Sequence, residues 1–91
     1  MKPFKEEAQS TTRVLAQCLL AEVAQRLERE GEGVEYLQWD KRAKFSGART
    51  AYVGVNYIGK FVVSERGGTT TLYDDVDAAV ARALLWSRQE K

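Results

Sequence analysis

Between Ala51 and Trp86 the apolar positions change period. Up to Tyr73 they follow the alternation of a strand, and beyond Asp75 they recur at helical spacing. Tyr52, Val53, Val55, Tyr57, Phe61, Val62 and Val63 are the β-branched and aromatic residues that suit a pleated, half-buried surface. Ile58-Gly59 interrupts the run, and glycine takes the positive φ that a tight hairpin needs. Residues 49–57 are therefore predicted to pair antiparallel with residues 60–66. Gly67-Gly68 marks a second turn, and Thr69, Thr70, Thr71, Leu72 and Tyr73 read as a third short strand, which makes a meander.

Asp74 or Asp75 caps the helix that follows, and Asp77 adds negative charge at its positive pole. Val76, Ala79, Val80, Ala83 and Leu84 fall on one stripe that can lie across the sheet, and Arg88 and Lys91 sit near the opposite pole.

At the other end of the chain, Phe4 to Glu30 contains no glycine or proline and is predicted to be helix. Pro3 is suited to its first turn, and Ser10 or Thr11 offers a point of fresh entry. Val14, Leu15, Ala16, Cys18, Leu19, Leu20, Ala21, Val23, Ala24 and Leu27 cover more than one narrow stripe, so this helix calls for two partners. It would be about 40 Å long, more than the width of a compact domain of this size. Ala16, Leu20, Val23 and Leu27 follow the four-three-four spacing of a helix-to-helix seam. Gly31 and Gly33 end the helix.

Val34 to Trp39 alternates weakly and reads as an edge strand or extended arm, and Asp40 to Gly47 reads as a polar turn. The expected architecture is α+β and a single domain. Residues 1–33 form a long N-terminal helix, residues 34–73 a three- or four-stranded antiparallel meander, and residues 74–91 a C-terminal helix packed on one sheet face.

The 44% hydrophobic and 30% charged residues describe an ordinary soluble globular chain, which makes the cytoplasm the default home. Nothing resembles a signal peptide, since Met1 to Gln9 is charged, and no apolar run approaches the roughly 18 residues of a membrane span. A chain of 91 residues has little core, and a second copy would add burial. The net charge of +1 excludes a strongly cationic binder, yet it hides a gradient. Residues 34–66 carry six basic and three acidic side chains.

No histidine is present, and the one cysteine, Cys18, reads as a small buried hydrophobe, so neither the commonest general base nor a thiolate zinc site is available. No catalytic constellation is visible, and no cofactor or metal is expected. Cap and dipole duty explains Asp74, Asp75 and Asp77 better than magnesium binding does. The candidate nucleic-acid patch is Lys41, Arg42, Lys44, Arg49, Lys60 and Arg66, with Trp39, Phe45 and Tyr57 interleaved. Cations there would neutralise phosphates and rings would stack on bases.

Tyr52-x-Gly54-Val55, Gly59-Lys60-Phe61-Val62, Tyr73-Asp74 and Ala78-Ala79-x-Ala81 together resemble the AP2-type DNA-binding domain of plant factors, over about a third of the chain. That resemblance implies a three-stranded sheet packed on one helix. The family's sheet carries arginines and tryptophans into the major groove, whereas the corresponding segment here offers Val53, Asn56, Phe61 and Glu65. The resemblance therefore supports the β-β-β-α order more than the contact set. The leading functional expectation is a non-catalytic interaction module working as a homo-oligomer, most simply a dimer through Ala16, Leu20, Val23 and Leu27. Weak, largely non-sequence-specific nucleic-acid binding is the alternative. A small ligand held at a subunit interface lined by Tyr36, Trp39 and Phe61 is the second.

Overall fold

A computed structural model describes the backbone of residues 4–89 and the side chains of residues 11–89. The elements are α1 (Phe4–Arg29), β1 (Val34–Leu37), β2 (Arg42–Ser46), β3 (Thr50–Val55), β4 (Phe61–Glu65), β5 (Thr70–Tyr73) and α2 (Val76–Arg88). All five strands join in one antiparallel sheet in the order β1-β2-β3-β4-β5, so the α+β meander stands with more strands than the expected three or four.

The addition is β2, which occupies the expected polar turn Asp40 to Gly47. Its apolar signal is only two residues long, but Ala43 and Phe45 alternate with Arg42, Lys44 and Ser46, as a strand with one covered face requires. Ala43 pairs with Tyr36 on one side and Val53 on the other, and Phe45 pairs with Val34 and Ala51. Val34 to Leu37 is accordingly an edge strand, β1.

The register places Val34, Tyr36, Ala43, Phe45, Ala51, Val53, Phe61 and Val63 on one face, and all are buried. Both helices pack there. From α1 come Ala16, Leu20, Ala24 and Leu27, and from α2 come Val76, Ala79, Val80 and Ala83. The fully buried Ala24, Ala43, Ala51, Ala79 and Ala83 let helix backbones lie close to the sheet, while Phe45 and Leu20 fill the space between.

Helix α1 runs unbroken through Ser10 and Thr11. A cap needs extended backbone, and these residues are helical, so no fresh entry occurs. It ends in a Schellman turn: Gly31 has φ +75°, the Glu32 N–H donates to the Leu27 carbonyl and the Gly31 N–H donates to that of Glu28, both at 3.1 Å. Pro3 and Lys91 lie outside the described residues. The molecule measures 51 × 27 × 21 Å, and the helix accounts for most of the long dimension.

Helix α2 is fixed at both ends. Asp75, in extended backbone, accepts a 3.0 Å hydrogen bond from the Ala78 N–H. At the far end the Trp86 indole N–H donates to the Thr50 carbonyl at 3.2 Å, and the Arg49 N–H donates to the Ser87 carbonyl at 3.1 Å. A Cβ on Gly47 would stand 2.3 Å from that same carbonyl oxygen, so only glycine lets the β2–β3 turn close on the helix.

One carboxylate shares the covered face. Glu65 lies opposite Ala51 with its side chain 2% exposed, and it pairs with Arg82 of α2. The hydrogen bond from Arg82 holds the Glu65 carboxyl below its ordinary value, against the opposing pull of burial.

Two outcomes are expected. Phe45→Ala should lower unfolding free energy by about 3–5 kcal/mol in urea titration, because the fully buried ring leaves a cavity between layers that cannot collapse. Because its folded pKa is depressed, Glu65 contributes stability that is present above about 4.5, its ordinary value, and is lost as pH falls through the folded one. Urea midpoints measured from neutral pH downward should fall less steeply below that value in Glu65→Gln than in the parent.

Candidate nucleic-acid interface

Because both helices cover the same side, the other face of the sheet is open. Its middle row reads Glu35, Lys44, Tyr52, Ser64 and Thr70 across the five strands, and the next row reads Leu37, Arg42, Gly54, Val62 and Leu72. Arg42 lies over the Tyr52 ring with its guanidinium carbon 4.7 Å from the centroid, and it pairs with Asp40. A Cβ on Gly54 would come within 3.1 Å of the Arg42 Cγ. The bare glycine thus makes room for the arginine stem to lie flat on β3.

A recess of about 260 Å³ opens beside these residues, at the end of the sheet where the β1–β2 turn lies. Arg13 and Gln17 reach it from α1, Lys41 and Arg42 from the turn and β2, and Tyr52 and Ser64 from the open face. Asp40 is the one carboxylate among the described residues of its lining. Lys41 takes φ +56°, a left-handed backbone that turns the chain sharply from Asp40 into β2. No ion pair among the described residues holds Arg13, Lys41 or Lys44. Two rings flank this end. Trp39 is 82% exposed on the β1–β2 turn, and Tyr57 is 74% exposed on the β3–β4 turn. Asn56 holds the second turn, its side-chain oxygen accepting from the Ile58 N–H at 3.1 Å and the Lys60 N–H at 2.9 Å.

The six cations expected to form one patch divide. Lys41, Arg42 and Lys44 stay together. Lys60 stands at the same end of the sheet but pairs with Asp74 at 3.0 Å. Arg49 and Arg66 belong to the β2–β3 and β4–β5 turns at the opposite end, where Arg49 stacks on Trp86 at 4.3 Å. Phe45 is no stacking ring, because it is fully buried. Arg13 is the residue that sequence reasoning missed, since only the crossing of α1 over the sheet brings it to the β1–β2 turn.

Other expectations need correction for the same reason. Val53, Phe61 and Glu65 face the helices and Asn56 lies in the β3–β4 turn, so three of the four residues compared with the AP2-type sheet lie on the covered side. The open face carries Lys44, Tyr52, Ser64 and Thr70 instead. Phe61 is a core residue, whereas Tyr36, though also in the core, borders a recess of about 400 Å³ with Gln17, Cys18 and Lys41, to which neither Trp39 nor Phe61 contributes. Ala16, Leu20 and Leu27 are buried against this chain's own sheet, with Val23 packed at their side, so that seam is intramolecular. The apolar surface left on α1 consists of Val14, Leu15 and Leu19, each at least half exposed, with Cys18 among them.

No protein-family model matches the chain, and neither curated proteins nor solved structures yield a match. The AP2-type resemblance thus rests on the order β3-β4-β5-α2 alone. Among the described residues no group of three or more His, Cys, Asp or Glu side chains is placed to hold a metal ion, and no helix is long and apolar enough to cross a membrane.

Cys18 was expected in the core but is exposed, because it points away from the side of α1 that carries Ala16, Leu20 and Ala24. In native buffer it should react with a disulfide reagent at a rate close to that of the urea-unfolded chain. Protection until unfolding would contradict this placement.

Proposed function

We propose that this chain is a small non-catalytic binding module that holds nucleic-acid backbone against the open face of its sheet. The observation that carries the reading is the convergence of Arg13, Lys41 and Arg42 on one recess at the end of the sheet that also carries the exposed Trp39 and Tyr57, with Asp40 as the single opposing charge among the described residues of the lining. Three cations and the nearby Lys44 supply phosphate contacts, and Trp39 and Tyr57 offer faces on which unpaired bases stack. The open rows hold no array of arginine, asparagine or glutamine able to read base edges, so sequence preference is slight. With a net charge of only +1 the affinity is low, and it depends on this local cluster rather than on the whole molecule.

The homo-oligomeric reading draws no support from Ala16, Leu20, Val23 and Leu27, which are used inside the fold. An edge of the sheet supports it instead.

Fluorescence anisotropy with labelled duplex and single-stranded DNA, between about 50 and 200 mM salt, tests the proposal. Affinity should fall with salt by a log-log slope of about 0.9 per phosphate neutralised on duplex. Replacing Arg13, Lys41 and Lys44 by alanine should flatten that slope by two to three contacts' worth, while Arg49→Ala and Arg66→Ala at the far end should leave it unchanged. Trp39→Ala should weaken single-stranded binding by about 1–3 kcal/mol. Absence of binding at the low end of the range, or an unchanged slope in the triple variant, would sink the reading.

A further inference from the structure

The two edges of the sheet are not equivalent. At the β1 edge α1 intervenes, its Glu28 carboxylate accepting the outward Tyr36 N–H at 3.3 Å. Among the described residues none guards the β5 edge in this way. Glu65 donates its N–H to the Thr69 carbonyl at 3.1 Å, which sets the phase of the β4–β5 ladder. In that phase Thr71 and Tyr73 bond to β4, and Thr70 and Leu72 turn their N–H and C=O groups outward. Thr70 and Thr71 are exposed and Leu72 is 54% exposed, because α2 leaves β5 for the middle of the sheet. Thr69 to Tyr73 contains no lysine, proline or other charge-bearing residue of the kind that discourages edge pairing.

We infer that β5 is the docking edge for a second copy of this chain, paired antiparallel about a two-fold axis at Thr71. In that register Thr70 stands opposite Leu72 of the second copy, and Leu72 opposite its Thr70. All four outward donors and acceptors on each strand are then matched. Charge selects the antiparallel sense. Arg66 lies before the strand and has no ion pair among the described residues, while two carboxylates lie after it against the one cation Lys60: Asp74, which pairs with Lys60 and is still 85% exposed, and Asp75, which caps α2. The two-fold arrangement carries each Arg66 toward the aspartates of the other copy, whereas parallel pairing would set cation beside cation and carboxylate beside carboxylate. The product is a ten-stranded sheet, twice the five observed, with one continuous open face. The outer stripe of α1 competes as a surface, but nothing about it selects an occupant.

A contact of one short strand buries less than the roughly 800 Å² per partner of a stable interface, so the dimer is weak and forms at tens to hundreds of micromolar. Sedimentation velocity across that range should show a monomer–dimer equilibrium that high salt weakens. Thr70→Pro removes an outward N–H without touching the β4 ladder and should weaken association at least about tenfold. Arg66→Asp should do the same, and adding Asp74→Arg to it should restore the dimer. The pair of charge variants decides the matter should the proline variant lose its circular dichroism spectrum. Leu15→Glu with Leu19→Glu should leave association unchanged. A chain monomeric throughout, or a dimer abolished by the α1 variant and kept by Thr70→Pro and Arg66→Asp, overturns the inference. DNA binding by the monomer would leave the proposed function standing, since the recess lies within one copy.

Discussion

Everything in this molecule depends on a sheet that buries one face only. Phe45, Val53 and Val63 stand fully buried at the centre of that face, and the two helices from opposite ends of the chain must share it. Neither helix covers the sheet alone: α1 lies chiefly over β1, β2 and β3, and α2 chiefly over β3 and β4. Burial of a large apolar side chain contributes about 1.5–3 kcal/mol, so the shared centre dominates the stability of a chain with little core to spare. Small residues on both helices and on the sheet make this sharing possible.

The same constraint creates the surface on which function is proposed. With both helices on one side, the opposite face remains in water, and the strand alternation presents Lys44, Tyr52, Ser64 and Thr70 there. The length of α1 adds the remaining element. Its N-terminal half continues past the strand ends, so that Arg13 and Gln17 close one side of the recess formed by Lys41 and Arg42. A basic residue on a helix, one on a turn and one on a strand thus border one recess although about thirty residues separate the first from the others in the chain.

Ion pairs in this fold separate into structural and surface roles. Glu65 and Arg82 bind α2 to β4 beneath the β4–β5 turn, and Arg88 and Glu32 tie the end of α2 to the loop after α1. These pairs remove two arginines from the free surface. Lys60 is likewise engaged by Asp74. Among the described residues Arg13, Lys41 and Lys44 are in no ion pair and lie near the β1–β2 turn, which gives a nearly neutral chain one locally basic end.

The sequence by itself determined the elements whose signals are local. The period change at Asp74-Asp75, the cap, the stripe from Val76 to Ala83 and the hairpin at Gly59 all follow from residue type and spacing over a few positions, and each is present. Strand β2 was hidden, because two inward residues among charged neighbours look like a turn until Tyr36 and Val53 are known to flank Ala43. Facing was hidden too. Amphipathic spacing says that Ala16, Leu20, Val23 and Leu27 share a side, but not whether a second copy or this chain's own sheet covers it. Nor does alternation say which face of β3 and β4 meets the helices. Tertiary packing decided both, because the side of a strand or helix that is buried depends on residues far away in the chain, and the cluster of Arg13 with Lys41 and Arg42 exists only once α1 has crossed the sheet.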